Sequence, residues 1–443
     1  MKKFIAGIFR KTPSPPAPEW TKYSEPRRSL EKNIPGITIP FEFGYFDEFS
    51  YLTQPVKVTR RGRDGRGFLV FMPHYFPDIF FGGHAAFFKF LAAIKREHGG
   101  DLKLVIIKQN VTRQSLDENI ARIKKDASEA AGLFSDFNLL VESRSLEVDG
   151  QYGVISFCSE THFVASSAAS QLNVAPIFFI PEYEPDFHGP GSLKTFVRST
   201  FDLPHIGLFN TRKLYEYFRH HTDIAQMRDP SYRYVIFENE IKPMPWSAKT
   251  FQARHAGKKK RRVIVYARPE SLGARNELGI ALLALKRCIE LKYFDESSWS
   301  FSGIGALIGH RPMPLSQHSQ LEIVPKLPMK QYEEHILGGD VGISLISTPH
   351  PGIVHYQMAN FGLATVTYAH LGRSPEWLKT QSRNLIPSEM TLDGLRNAIK
   401  EAVDLSADID ARYRNAAESV QYESAEATIA RAAKDLLTAG FRR

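Results

Sequence analysis

The sequence predicts an α/β protein built as two successive halves, each a parallel sheet covered by helices, with a ligand cleft between them. Short continuous apolar runs, such as Gly67-Phe68-Leu69-Val70-Phe71-Met72 and Val263-Ile264-Val265-Tyr266, alternate with segments whose apolar residues fall at helical spacing. Strands buried on both faces read in that way. The alternation stops at about residues 242–262, where Pro243, Pro245, Gly257 and the run Lys258-Lys259-Lys260-Arg261-Arg262 stand, and then restarts. A length of 443 residues fits this division, at about 150 residues per domain.

Composition narrows the class. With 43% hydrophobic and 24% charged residues the chain is not disordered as a whole. No apolar run reaches the ~18 residues of a membrane-spanning helix. The opening Met1 to Arg10 begins like a signal peptide, but its apolar stretch from Phe4 ends at Arg10, short of the ~7–15 residues of a secretory core. A cytoplasmic protein is expected. Lysine plus arginine (57) exceed aspartate plus glutamate (48) by nine, which suits an anionic partner. Cys158 and Cys288 are far apart in apolar segments, so neither a zinc spacing nor a disulfide framework is available.

Residues 1–60 read as a proline-rich extended arm, because Pro13, Pro15, Pro16, Pro18, Pro26, Pro35 and Pro40 interrupt any helix. In the first domain, residues 61–245, the strand at 67–72 is followed by a Gly82-Gly83 turn. A helix from His84 to Glu97 then places Phe87, Phe88, Leu91 and Ile94 on one face. Strands are predicted at 102–107, 154–157, 177–180 and 205–209, with helices from about Thr161 and near Leu214. In the second domain, residues 246–410, strands at 263–266, 299–304, 321–324, 341–346 and 363–367 alternate with helices striped by Leu278, Leu282, Leu285 and Ile289 and by Leu392, Leu395, Ile399 and Val403. Residues 411–443 form a helical tail ended by Gly440. In such sheets ligands lie at the carboxyl ends of the strands.

The motifs sit at those ends. Gly82 and Gly83 before a helix permit close backbone approach and leave amides free for an anion. Pro181-Glu182-Tyr183-Glu184-Pro185-Asp186-Phe187-His188 follows a strand and combines carboxylates and aromatics suited to gripping a sugar. Arg268 and Lys326 close strands, where a guanidinium and an ammonium neutralise a diphosphate leaving group. Ser347 to Leu363 turns through Pro349-His350-Pro351-Gly352 into a helix bearing His355 and Gln357, a geometry suited to a pyrophosphate and a ribose. The cation run 258–262 reads as a solvated linker. It lacks the interleaved aromatics of a nucleic-acid surface, and contact with an anionic membrane, helped by Lys2, Lys3, Arg10 and Lys11, is its other use.

These blocks, from Phe81-Gly82-Gly83 through Pro181 to Asp186 and Tyr266 to Gly279 to the stretch Lys326 to Gly362, resemble the GT-B glycosyltransferases. Within them they are similar to the WsaF-type rhamnosyltransferases of bacterial surface-glycan assembly. The resemblance implies two Rossmann-like domains facing each other across a cleft, with the nucleotide-sugar held mainly by the second. It implies that Arg268 and Lys326 face the diphosphate and that His350, Pro351, Gly352 and the helix with His355 and Gln357 hold phosphates and ribose. Gly82 and Gly83 would also contact the donor, Gly83 and the block with Glu182 and Glu184 would shape the acceptor side, and a carboxylate of Glu182 or Glu184 is expected to position or deprotonate the acceptor hydroxyl. No metal would be required, and Asp408 and Asp410 read as surface.

The expected activity is transfer of L-rhamnose from a dTDP-linked donor to a glycan or lipid-linked glycan, at the inner face of the cell membrane. Gln357-Met358-Ala359 stands where the relatives' pattern carries Glu-Met-Ala, and Gly352-Ile353-Val354-His355 also departs from it. The neutral amide motivates an alternative, a catalytically weakened relative that binds glycan or a partner, for which Gln357→Glu would strengthen donor binding.

Overall fold

Each continuous apolar run picked out in the sequence is a strand. The computed structural model describes residues 42–79, 82–125 and 130–440, and from Tyr51 onward they form one unit. Its first half contains α1 (Glu42–Thr53), β1 (Lys57–Met72), α2 (Gly82–His98), β2 (Asp101–Ile106), α3 (Arg113–Lys125), β3 (Asp136–Leu139) and β4 (Ser145–Ser156). It continues with α4 (Ser159–Leu172), β5 (Ile177–Ile180), α5 (Ser192–Ser199), β6 (Ile206–Asn210), α6 (Arg212–His221) and β7 (Tyr234–Phe237). The strands pair in parallel in the order β3-β2-β1-β4-β5-β6-β7.

The second half contains α7 (Ala248–Ala256), β8 (Arg261–Tyr266), α8 (Leu278–Glu290), β9 (Trp299–Ile304), β10 (Met313–Pro314), β11 (Gln320–Ile323), α9 (Met329–Leu337) and β12 (Val341–Ile343). Then come α10 (Val354–Asn360), β13 (Ala364–Tyr368), α11 (Pro375–Gln381), β14 (Leu385–Ser388), α12 (Leu392–Ser406), α13 (Ile409–Ala417) and α14 (Ala425–Ala439). Its order is β10-β11-β9-β8-β12-β13-β14, parallel except for the β10–β11 pair. Strand order reverses beside β1 in one sheet and β8 in the other. Crevices at the carboxyl ends of those strands are where such folds receive ligands.

Two expectations need correction. Residues 1–41 of the arm, with Lys2, Lys3, Arg10 and Lys11, lie outside the described residues. Beyond them the chain is not extended to residue 60, because α1 fits between Pro40 and Pro55 and β1 already begins at Lys57. The cation run is not a solvated linker either. Lys258 makes an ion pair with Asp340 at 3.0 Å, and Arg261 lies over the Trp299 ring at 4.2 Å within β8. Arg262 donates its backbone N–H to Asp340, which leaves Lys259 and Lys260 as the exposed pair. The helical tail, for its part, reaches the first half. Ile429, Ala432, Ala433 and Leu436 of α14 pack into the core of the first, beside Phe87, Leu91 and Ile94 of α2.

Cys158 and Cys288 are buried free thiols. Among the described residues no helix is long and apolar enough to cross a membrane.

Candidate active site

Arg268 follows β8 and is buried, its Nε donating to Glu270 Oε2 at 3.2 Å. The Tyr266 ring and the Arg268 stem need the glycine opposite: Gly305, after β9, has φ +103°, and a Cβ there would stand 2.4 Å from Tyr266 Cε2 and 3.3 Å from Arg268 Cδ. Lys326 is exposed on the loop after β11. Its charge reaches the first half. The Asp78 carboxyl is held below its usual range by the Arg122 hydrogen bond first and by Lys326 as well. Burial, then His74 and Lys326, push the His84 imidazole down to about 3. Lys326 therefore faces the start of α2 across the crevice.

The loop after β12 is gripped from both sides. Glu182, just past β5, is buried; its Oε2 accepts from Thr348 Oγ1 at 2.9 Å and its Oε1 from the His350 N–H at 3.1 Å. Arg275 Nε lies 3.8 Å from the same carboxylate. From behind, the fully buried Arg373 donates to the carbonyls of Ile346, Thr348 and His350 at 2.9–3.2 Å. Gly352, with φ +75°, makes the turn that a side chain would strain, and its N–H donates to His350 Nδ1 at 3.0 Å. Burial, with Arg275 and Arg373, pushes His350 down to about 3, so the ring is neutral. Pro351 is buried beside it.

Glu182 is thus a clasp between the halves rather than a base facing an acceptor. Glu184 is held within the first half instead. Its Oε2 accepts from the Ser159 N–H at the start of α4 at 2.8 Å, and burial pushes its carboxyl up to about 7 against the Ser159 hydrogen bonds. Lys108, after β2, pairs with Glu160 on the same helix start. Gly82 and Gly83 lie in the first turn of α2 rather than in a positive-φ turn before it. A Cβ on Gly82 would meet nothing within 4 Å, and one on Gly83 would only touch Pro181 at 3.8 Å, so no close backbone contact explains them. Phe81 lies outside the described residues.

Two residues of the fourth block face away from a ligand. His355 is buried with its ring against Tyr356, centroids 4.1 Å apart. Gln357 does not reach toward a ribose: its Oε1 accepts from the Lys242 N–H at 3.0 Å, and its Nε2 donates to the Lys242 carbonyl at 3.0 Å. The amide pins the segment that passes from the first half to the second. A carboxylate satisfies only one of those two backbone groups, which gives the amide its own reason to stand there. Gln357→Glu is expected to lower stability by about 1 kcal/mol, because a carboxylate oxygen replaces the donor to the Lys242 carbonyl, which keeps only the longer contact from Asn360 Nδ2 at 3.4 Å. The urea midpoint of the full chain checks it; donor affinity should not rise.

Asp408 caps α13, accepting from the Ala411 N–H at 2.8 Å. Among the described residues no group of three or more His, Cys, Asp or Glu side chains comes together as a metal site. Sequence reasoning missed Arg373, a lone arginine after a glycine turn that nothing nearby marks as buried. It also missed Lys108, His74 and Asp340.

This fold is shared with solved glycosyltransferases of the GT-B type. WaaG, a glycosyltransferase involved in lipopolysaccharide biosynthesis, superposes with a TM-score of 0.50 at 13% identity, covering 84% of this chain and 99% of its own. Sucrose-phosphate synthase from Thermosynechococcus elongatus gives 0.54 at 10% identity, covering 85% and 100%. The catalytic domain of starch synthase IV from Arabidopsis thaliana, bound to ADP and acarbose, gives 0.50 at 11% identity, covering 87% and 99%.

Residues 261–400 match the family of the WsaF C-terminal domain. The O-antigen biosynthesis protein RfbC of Myxococcus xanthus is 26% identical over 383 residues, which is 82% of this chain and 26% of that protein. The chain thus spans about a quarter of that relative's length. The second half is therefore similar to the WsaF C-terminal domain, and the chain has the GT-B fold.

Proposed function

We propose that the protein is a glycosyltransferase of surface-polysaccharide assembly, moving a sugar from a nucleotide-diphosphate donor to a glycan or lipid-linked glycan. The observation that carries this is the pair of cations at strand ends of the second sheet. Arg268 is fixed by Glu270, and Lys326 is near enough to the first half to perturb Asp78 and His84. A diphosphate leaving group accumulates negative charge as the glycosidic bond breaks, and positioned cations stabilise it there. The loop held by Glu182 and Arg373 presents the remaining donor contacts. The donor is dTDP-L-rhamnose, as the likeness to WsaF suggests, and the cations meet the diphosphate charge that a metal ion meets in other enzymes. Because Gln357 has a structural task, its neutral amide is no sign of lost activity.

Glu184 takes the acceptor's proton. A carboxyl near 7 accepts a proton well only once deprotonated, so transfer should rise with pH through about 7 and level above it. In Glu184→Gln that rise should vanish with a residual rate on the order of 100-fold lower, within the range for general-base loss. The identity test is a panel of nucleotide-sugars with the purified full chain, read as donor hydrolysis and transfer. Selective turnover of dTDP-rhamnose is expected. Turnover of another donor would displace the sugar, and no turnover of any donor would displace the enzyme.

A further inference from the structure

At the amino ends of β8 and β12, the opposite end of the second sheet from the crevice, lies a cavity of about 510 Å³. It is separated from Arg268 by roughly 20 Å, the length of a six-residue strand such as β8. Its walls come from α7, α9 and the segments beside them: Trp246, Arg254, His255, Lys258, Glu334 and Leu337. None of these was used in the site described above.

Three observations say what would enter. First, the cluster behind the cavity carries an excess of positive charge. Asp340 Oδ1 lies 2.9 Å from Arg412 Nη1 and Asp340 Oδ2 lies 3.0 Å from Lys258 Nζ, so one buried carboxylate serves two cations. Burial pushes Lys258 down to about 8 even with that partner, Arg412 and Arg262 adding to the effect. An excess buried cation is costly unless an anion approaches it. Second, Lys258 itself reaches the cavity, its side chain 17% exposed, while the neighbouring His255 ring is shut away from solvent. Third, the Arg254 guanidinium lies over the Trp246 ring at 5.0 Å, a cation–π contact that holds an exposed, flat charge at the cavity wall. Glu334 stands exposed at the rim.

We propose that this cavity is a second ligand site, for a small oxyanion carried on a flat body such as a phosphate monoester. The oxyanion is held between Arg254 and Lys258 and balances the Lys258–Arg412–Asp340 cluster. The flat body stacks on the outer face of the Arg254 guanidinium, whose inner face lies on Trp246, and Glu334 accepts from a hydroxyl or amine of the ligand and turns away polyanions.

Phenyl phosphate is the probe, titrated into the full chain by calorimetry beside inorganic phosphate and phenol. Saturable binding of phenyl phosphate is expected, tighter than that of inorganic phosphate, with none of phenol. Arg254→Ala, at an exposed position, should weaken it at least tenfold with an unchanged unfolding midpoint, and Trp246→Phe should weaken it less than Arg254→Ala does. Lys326→Ala should leave it intact, which separates this site from the crevice whether or not the protein transfers sugar. Absence of saturable binding at millimolar phenyl phosphate overturns the proposal. So does binding that survives Arg254→Ala and is lost in Lys326→Ala, because the ligand is then in the crevice.

Discussion

Lys326→Ala is expected to reduce sugar transfer by about 10²–10³-fold, equivalent to about 2.7–4 kcal/mol of transition-state stabilisation. The side chain is exposed on a loop, so its loss removes no core contact and the fold should be unchanged by circular dichroism. Its charge is felt at Asp78 and His84 across the crevice, which places it where the two halves approach a common ligand. The loss should fall on kcat more than on KM, because the charge it meets is greatest once the donor bond has broken. Lys326→Arg should restore part of the rate, since a guanidinium keeps the charge but not the compact ammonium geometry. Turnover equal to wild type in the alanine variant would remove Lys326 from the reaction.

The largest structural effect is expected at Asp340. Asp340→Ala should cost about 3–5 kcal/mol, as when one partner of a buried ion pair is removed. Asp340 ties four elements together. It accepts from Arg412 on α13, from Lys258 after α7, and from the Arg262 N–H at the start of β8, and it contacts the His255 ring on α7 at 2.8 Å. Without it, two buried cations face one another with no anion. Burial opposes ionisation of Asp340, but His255, Arg412 and Lys258 hold its carboxyl well below the usual range. Its contribution is therefore complete at neutral pH and is lost only in strong acid, as pH falls through the depressed value. Salt should not rescue the variant, because the cluster is buried and poorly screened. A urea midpoint matching wild type would show that the cluster is dispensable.

The strands were legible because burial on both faces writes itself as a continuous apolar run, so Phe68 to Met72 and Val263 to Val265 needed no partner to be recognised. Arg268 and Lys326 were legible for a similar reason: position at a strand's carboxyl end is a local property. Glu182 and Gln357 were not. Glu182 finds Thr348 at a separation of 166 residues, and Gln357 finds Lys242 at 115, and nothing near either residue records that its hydrogen-bonding capacity is spent. Lys258 misled for the same reason, since a cation in a polar stretch reads as solvated until the distant carboxylate that buries it is known. The proline count hid α1, because spacing between prolines, rather than their number, decides whether a helix fits.

The path of the chain through the two halves has a temporal consequence. The helical layer of the first sheet is finished by residues 425–439, whose Ile429, Ala432 and Leu436 fill places beside α2, and Thr428 closes on Glu238 at 3.0 Å. During synthesis, then, the first half emerges early but waits, with that apolar face uncovered, until the entire second half has left the ribosome.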